Sequence, residues 1–364
     1  MESYNVTHAT SIFWDTTNDT AYKDYDYFQE DPQTLLIKKI LHISSMVLYS
    51  VAFLLGTTGN GLVIWIAGFK MKKTVNIIWF VNLAIADFIF TLFLPLSVVY
   101  IALDFHWPFG TFMCKLNSSL AFINLFASVF LLTIISIDRC ISVMFPVWSQ
   151  NHRTPRRASL VALAVWFLSL CFSLPYFIVR DTFEGDGYTR CYNNFGYDEN
   201  NELTDLGLQR MKATVVMRSL LGFCIPFPVI IFCYTVIALK LHWNRMSTSS
   251  KPFKIIVAVL ISFFICWFPY HIFSFLEMSQ FTNPNVNYGT VLYIGIPIAS
   301  SLAFLNSCVN PFLYVFMGRD FKNTFMTSIQ SVFEKAFSED SVYIDARHTK
   351  STKSTKSTSE SNMV

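Results

Sequence analysis

Charge is what this chain of 364 residues has least of: Asp, Glu, Lys and Arg supply 14% of it, against about 25% in a soluble domain. Apolar residues fill the deficit, at 53% of the chain with 37 phenylalanines. That balance belongs to an integral membrane protein and gives no footing for a nucleic-acid partner. Zinc-type spacing is absent among the eight cysteines. Cys140, Cys171, Cys224, Cys233, Cys266 and Cys308 fall inside apolar runs, where a thiol usually acts as a small packing residue. Cys114 and Cys191 flank or lie in hydrophilic loops and form the one candidate disulfide. No early basic segment leads into a short apolar stretch, so no cleavable signal is expected, and the first apolar span should serve as an uncleaved one. No internal repeat is visible, which counts against a transporter built from repeated halves. Nor is there a second deep acid to face Asp87, or a serine near His271 in a nucleophile setting, as an intramembrane enzyme would need.

What is present is seven apolar spans, roughly 40–68, 75–102, 111–144, 158–179, 213–241, 253–279 and 289–316. Each is near the ~20 residues a membrane helix requires, about twice the length of a barrel strand. The expected fold is an all-α membrane protein, a bundle of seven transmembrane helices over residues 38–318. Cations gather after odd-numbered spans, at Lys70, Lys72 and Lys73, at His152, Arg153, Arg156 and Arg157, at Lys240, Arg245, Lys251 and Lys254, and at Arg319 and Lys322. By the positive-inside rule the N-terminus lies outside and the C-terminus inside.

Residues 1–37 carry Glu2, Asp15, Asp19, Asp24, Asp26, Glu30 and Asp31 against a single Lys23, and hold sequons at Asn5 and Asn18. An extracellular, disordered, glycosylated tail is expected, with Tyr22, Tyr25 and Tyr27 as candidates for sulfation. Residues 319–333 repeat Phe321, Phe325, Ile329 and Phe333 at spacing four, the pattern of an amphipathic helix on a membrane surface. The tail at 334–364 is of low complexity and rich in hydroxyls. Ser338, Ser341, Ser351, Thr352, Ser354, Thr355, Ser357 and Thr358 are its candidate phosphorylation sites.

Polar residues inside the spans carry the functional signal. Asp87 sits mid-span, and a lone carboxylate at that depth marks a functional site by default. Asn124 with Ser128, and Asn306 with Asn310, each lie four apart and share a helical face. One carboxylate with neutral oxygens suits a small hard cation such as Na⁺; a protonated, hydrogen-bonded Asp fits the same residues. Asp138 and Arg139 end the third span, either as charges reaching the interface or as a switch in which the acid holds the arginine. Pro226, Pro269 and Pro311 fall inside later spans, where a missing N–H kinks a helix, and Trp267 lies just before one of them.

Gly59-Asn60, Leu83-Ala84-x-Ala86-Asp87, Asp138-Arg139-Cys140, Trp166, Pro226 with Tyr234, Cys266-Trp267-Phe268-Pro269 and Asn310-Pro311-x-x-Tyr314 occur in order on successive spans. Together they resemble a rhodopsin-like (class A) G-protein-coupled receptor over about residues 38–333. The resemblance implies that Arg139 meets the G protein, with Tyr234 and Tyr314 supporting it, and that Trp267 lies beneath the ligand. It also implies an allosteric sodium held by Asp87, Asn124, Ser128, Asn306 and Asn310, with no required cofactor, and a Cys114–Cys191 disulfide joining span three to the second extracellular loop. Cys140 replaces the commoner tyrosine, as in chemoattractant receptors.

The monoamine-receptor aspartate is replaced by Ala121 and the opsin lysine by Phe304, which excludes both ligand types. No cysteine lies in 1–37 or 280–290, against the chemokine-receptor pattern. FKMKKTVN from Phe69, CYNNF from Cys191 and KPFKI from Lys251 are similar to the chemerin-receptor type, within a group that includes the formyl-peptide receptors. Arg218 and Arg180 suit a ligand carboxylate. Glu277 either offsets Arg218 or meets a ligand cation, and Phe122, Tyr270, Phe273 and Tyr293 are expected to wall the cleft. The expected partners are a peptide or protein ligand with a free carboxylate end, an inhibitory G protein, arrestin, receptor kinases and membrane lipid. The expected site is the plasma membrane.

Overall fold

The computed structural model describes residues 32–185, 187–198, 202–243, 251–283 and 285–317, together with 324, 326 and 327. Among the described residues seven segments are long and apolar enough to cross a membrane: Leu35–Lys70, Val75–Ala102, Gly110–Met144, Pro155–Val179, Asp205–Lys240, Leu260–Thr282 and Gly289–Pro311. These match the seven expected spans, with shifted ends. The first helix, α1 (Pro32–Trp65), starts inside the stretch assigned above to the tail and closes in a π-helical turn, Ile66–Lys70. Apolar content marks where a helix can sit in lipid, not where its backbone hydrogen bonds begin.

The second span is two helices, α2 (Val75–Leu92) and α3 (Leu94–Ala102). Pro95 stands at the start of α3 and has no N–H for the ladder. The helix therefore breaks at Phe93, whose N–H reaches the carbonyls of Phe90 and Thr91. The third span, α4 (Gly110–Met144), is the central element: 72% of its most apolar stretch is buried, against 22% in the first span. It packs against α2, the short α5 (Pro146–His152), and α6 (Pro155–Val179).

The fifth span starts earlier than its apolar run. Thr204 caps α7 (Asp205–Ser219) by accepting the Gly207 N–H at 3.0 Å, a signal carried by the Thr-Asp pair ahead of the run. A π-helical turn (Leu220–Cys224) follows, in which the Ile225 N–H reaches back five residues to the Leu220 carbonyl at 2.9 Å. Pro226 then opens α8 (Pro226–Trp243). It starts a new helical segment rather than interrupting one. By contrast, α9 (Lys251–Thr282) runs through Pro269, and α10 (Gly289–Met317) through Pro297 and Pro311.

Between α6 and α7 the chain forms an antiparallel hairpin, β1 (Arg180–Gly185) with β2 (Tyr188–Asn193), pairing Arg180 with Asn193 and Gly185 with Tyr188. Gly187 lies in the turn at φ +80°, a backbone region that favours glycine. The bundle's outer face exposes large apolar side chains such as Ile40, Leu54, Leu163, Phe167, Phe232 and Ile265. In water such a surface would aggregate; in a bilayer it faces lipid. Helix packing is close where small residues allow it. A Cβ on Gly295 of α10 would stand 1.9 Å from Phe273 of α9, and one on Gly59 of α1 would stand 3.0 Å from Pro311 of α10.

Candidate functional site

The hairpin is fastened across one end of the bundle. Cys191 of β2 is disulfide-bonded to Cys114 in the first turns of α4. Trp107 N donates to the Thr189 carbonyl at 2.7 Å, and Thr189 N donates to His106 Nδ1 at 3.1 Å. Arg180 is buried within this structure. Its Nη2 donates to the Cys191 carbonyl at 2.8 Å and its Nη1 to Asn193 Oδ1 at 3.1 Å. The expectation that Arg180 serves a ligand is therefore met by a guanidinium already bonded to the hairpin. The Asp186-Gly187 dipeptide between alternating residues is a hairpin signal in its own right, hidden by a search for membrane spans.

Beneath the hairpin lies Arg218, near the end of α7 and fully buried at 0% exposure. Its Nη1 donates to Tyr270 Oη at 3.1 Å. Its guanidinium carbon lies 4.8 Å from the Tyr270 ring centroid and 5.6 Å from that of Phe122, within cation–π range. Its Nε and Nη2 have no hydrogen-bond partner, and among the described residues no carboxylate forms an ion pair with it. Glu277 is buried two turns beyond Tyr270 on the same face of α9. Phe122 stacks on Tyr176 of α6 with centroids 3.6 Å apart, and Tyr176 Oη donates to the Thr214 carbonyl of α7 at 3.2 Å. Tyr176 carries no sequence signal, since an aromatic in an apolar span looks like any other packing residue. Trp267 packs edge-on to Tyr270 at 5.7 Å. Two expected wall residues are engaged elsewhere: Phe273 lies against Gly295, and the Lys38 ammonium sits 5.9 Å over the Tyr293 ring.

One residue along each helix, Ser219 Oγ lies 3.3 Å from His271 Nδ1. The two are far apart in sequence and meet only through α7–α9 packing. Among the described residues no acid orients the ring, because Nε2 has no partner. Both residues are buried.

Midway along the bundle, Asp87 is fully buried. Asn124 Nδ2 of α4 donates to its Oδ1 at 3.0 Å, and Asn310 Nδ2 of α10 donates to its Oδ2 at 2.8 Å. An ionised carboxylate only accepts hydrogen bonds, so buried amides turn their N–H groups toward it. Two of the four expected neutral oxygens therefore hold the carboxylate instead of joining it as acceptors. The other two, Ser128 Oγ and Asn306 Oδ1, are buried without partners. Asn60 Nδ2 donates to the Ser307 carbonyl at 2.9 Å, tying α1 to α10 nearby.

At the far end of α4 the structure corrects the expected Asp138–Arg139 restraint. The Asp138 carboxylate is held by Arg153 beyond α5, with Nε at 2.8 Å from Oδ1 and Nη2 at 2.8 Å from Oδ2. Arg153 Nη2 also donates to Asn76 Oδ1 of α2. Adjacent residues on a helix point in directions about 100° apart, so a side-on bidentate pair with the next residue is geometrically poor. A planar fork arriving from another segment fits better. Arg139 Nε is left buried and unpartnered. The Tyr314 side chain, Asn5, Asn18, the amphipathic stretch at 319–333 except 324, 326 and 327, and the candidate phosphorylation sites from Ser338 to Thr358 lie outside the described residues.

The geometry thus comprises a buried arginine with two unpartnered nitrogens at the hairpin end, a buried carboxylate at mid-depth, and an acid–arginine clamp at the opposite end. The sequence matches the family described as 7 transmembrane receptor (rhodopsin family) over residues 59–314. The chain belongs to that family. It is 47% identical to chemerin-like receptor 1 of Homo sapiens over 311 residues, covering 83% of this chain and 82% of that one. It is 42% identical to chemerin-like receptor 2 of Mus musculus over 330 residues, 91% of each. It is 43% identical to N-formyl peptide receptor 3 of Pan troglodytes over 319 residues, 86% of this chain and 91% of that one. The receptor is accordingly a multi-pass plasma-membrane protein, and its relatives are receptors rather than enzymes.

The receptor's Asp138–Arg153 clamp can be measured. Arg153→Gln should lower thermal stability in detergent, as should Asp138→Asn, and the double variant should lose less than the sum. The expected coupling is about 1.5 kcal/mol, within the range for hydrogen bonds to charged groups. Strict additivity would show that the pair contributes nothing.

Proposed function

We propose that the receptor recognises the carboxylate-bearing end of a peptide or small protein at Arg218 and works as a chemoattractant receptor through inhibitory G proteins. One observation carries the reading: a fully buried guanidinium with two unpartnered nitrogens and, among the described residues, no carboxylate ion-paired to it. A buried cation lacking a counter-charge costs several kcal/mol, and a bidentate carboxylate is the group that best offsets that cost. Relatives named for chemerin and for N-formyl peptides support a peptide ligand. The hairpin end faces outward in this reading, in line with the cations at Lys70–Lys73, Arg153–Arg157 and Lys240–Lys254 and with the acidic tail at the N-terminus. That tail would gather the basic body of a larger ligand. Trp267, beneath Tyr270, passes the binding event inward.

At the inner end Arg139 meets the G protein, with Tyr234 and Tyr314 in support. Arg153 occupies Asp138, so the resting restraint lies on the acid and leaves the arginine poised. The hydroxyl-rich tail beyond Ser338 would recruit arrestin after phosphorylation by receptor kinases. At mid-depth, the Asp87 carboxylate with Ser128 Oγ and Asn306 Oδ1 fits a small hard cation. Asn124 and Asn310 would hold the carboxylate in place, and a sodium ion there would bias the bundle toward its resting packing.

Two measurements test these readings. Arg218→Gln should weaken a free-acid peptide agonist, such as a chemerin C-terminal peptide, by more than tenfold and its C-terminal amide hardly at all. Equal losses would reject the carboxylate role. Asp87→Asn should abolish any difference in agonist affinity between sodium chloride and choline chloride buffers, and a retained sodium effect would place the ion elsewhere.

A further inference from the structure

Arg218 and Ser219 are consecutive on α7, and Tyr270 and His271 are consecutive on α9. The two helices are joined by two parallel bonds, Arg218 Nη1 to Tyr270 Oη at 3.1 Å and Ser219 Oγ with His271 Nδ1 at 3.3 Å. The second bond has no part in the carboxylate reading. Both its members are buried, at 2% and 3% exposure, and His271 Nε2 is left without a partner. The His271 ring lies beside Gly222, where an added Cβ would stand 3.6 Å from Cε1 and 3.5 Å from Leu125 of α4.

The protons on this pair can be placed. Ser219 Oγ has no second partner, so its buried proton is satisfied only by donation to Nδ1. That leaves the ring's proton on Nε2. A doubly protonated ring would carry a proton on Nε2 as well. The remaining arrangement, Nδ1–H donating to Oγ, strands the serine proton at a cost of about 1–3 kcal/mol. His271 Nε2 is therefore a donor. So are the neighbouring unpartnered atoms, Arg218 Nε and Nη2, and Trp267 Nε1 one turn earlier on α9. This corner of the bundle has several unused donors and needs acceptors. A carboxylate seated bidentate on Arg218 keeps a further lone pair on each oxygen, but His271 projects about 100° around α9 from Tyr270, the residue bonded to Arg218, so the His271 proton calls for an acceptor of its own.

We infer that His271, aligned by Ser219, is a second reading position beside Arg218. The ligand's buried end accordingly carries a hydrogen-bond acceptor on its terminal side chain, a carboxamide or hydroxyl, in addition to its C-terminal carboxylate. This rests on the carboxylate reading of Arg218. It makes His271 a specificity-determining residue that discriminates between side chains of equal size, because a site built to donate rejects an isostere with nothing to accept.

The test uses free-acid and amidated peptides from the chemerin C-terminus whose last residue is varied in near-isosteric pairs, Asn against Leu and Thr against Val. Affinities are measured by competition on intact cells with surface expression quantified. On the unmodified receptor the acceptor-bearing member should bind about tenfold better, as one hydrogen bond predicts. His271→Phe should bring that ratio to about one while leaving the acid-to-amide ratio intact. Ser219→Ala should reduce it, and His271→Gln, which keeps a donor, should restore part of it and stands in if the phenylalanine variant fails to reach the surface. Arg218→Gln should do the converse, removing the acid-to-amide ratio but not the isostere ratio. An isostere ratio near one on the unmodified receptor, or one that survives His271→Phe, overturns the inference. An acid-to-amide ratio that survives Arg218→Gln overturns the carboxylate reading alone, and no binding by any free-acid peptide overturns both.

Discussion

A fully buried guanidinium, with no carboxylate ion-paired to it among the described residues, is the constraint around which the hairpin end of this receptor is arranged. Arg218 keeps its charge away from water against the faces of Phe122 and Tyr270, and cation–π contacts are worth about 2 kcal/mol when desolvated. That is less than the several kcal/mol needed to bury the charge. The deficit is carried by the surrounding framework. Phe122 is fixed by stacking on Tyr176, which is bonded to the α7 backbone, and Tyr270 is fixed on α9. The disulfide and the hairpin close the end above. In the proposed reading a ligand carboxylate would relieve the deficit, and its binding energy would then favour whichever packing of α7 and α9 suits the occupied site.

One rigid element reaches both ends. From Cys114 to Arg139, α4 is a single helix, about 37 Å long at 1.5 Å per residue. It bears Phe122 beside Arg218, Asn124 on Asp87, and Asp138 in the Arg153 clamp. The helices opposite it are less uniform. The fifth span changes helical pitch at Leu220–Cys224, directly after Arg218 and Ser219, and π-turns of this kind recur at functional sites. A regular central helix against a neighbour with an irregular turn beside Arg218 and Ser219 is a workable hinge. Asp87, bonded to α4 and α10 at mid-depth, couples α2 to both.

The spans were legible because a bilayer imposes length and apolarity together, and because a buried acid such as Asp87 stands out in an apolar run. The disulfide was legible because only Cys114 and Cys191 lay outside such runs. Helix ends were less so: Pro32 and Asp205 begin helices in polar sequence, where the ladder and the caps decide, not hydropathy. Partnerships between distant segments were the least legible. Nothing local in Arg153 says that it holds Asp138, and Ser219 and His271 meet only because α7 and α9 pack side by side. Tyr176 was invisible for a simpler reason, its polar tip being satisfied by a backbone carbonyl. Adjacency in sequence misled at Asp138-Arg139, where the acid's partner comes from beyond the next helix.

The central claim is that an external carboxylate completes Arg218. A structure of the receptor bound to a free-acid peptide agonist tests it most directly. The account predicts both terminal carboxylate oxygens within about 3 Å of Arg218 Nε and Nη2, the usual charge-assisted range. A peptide terminus seated on another cation, with those two nitrogens still bare, would contradict it.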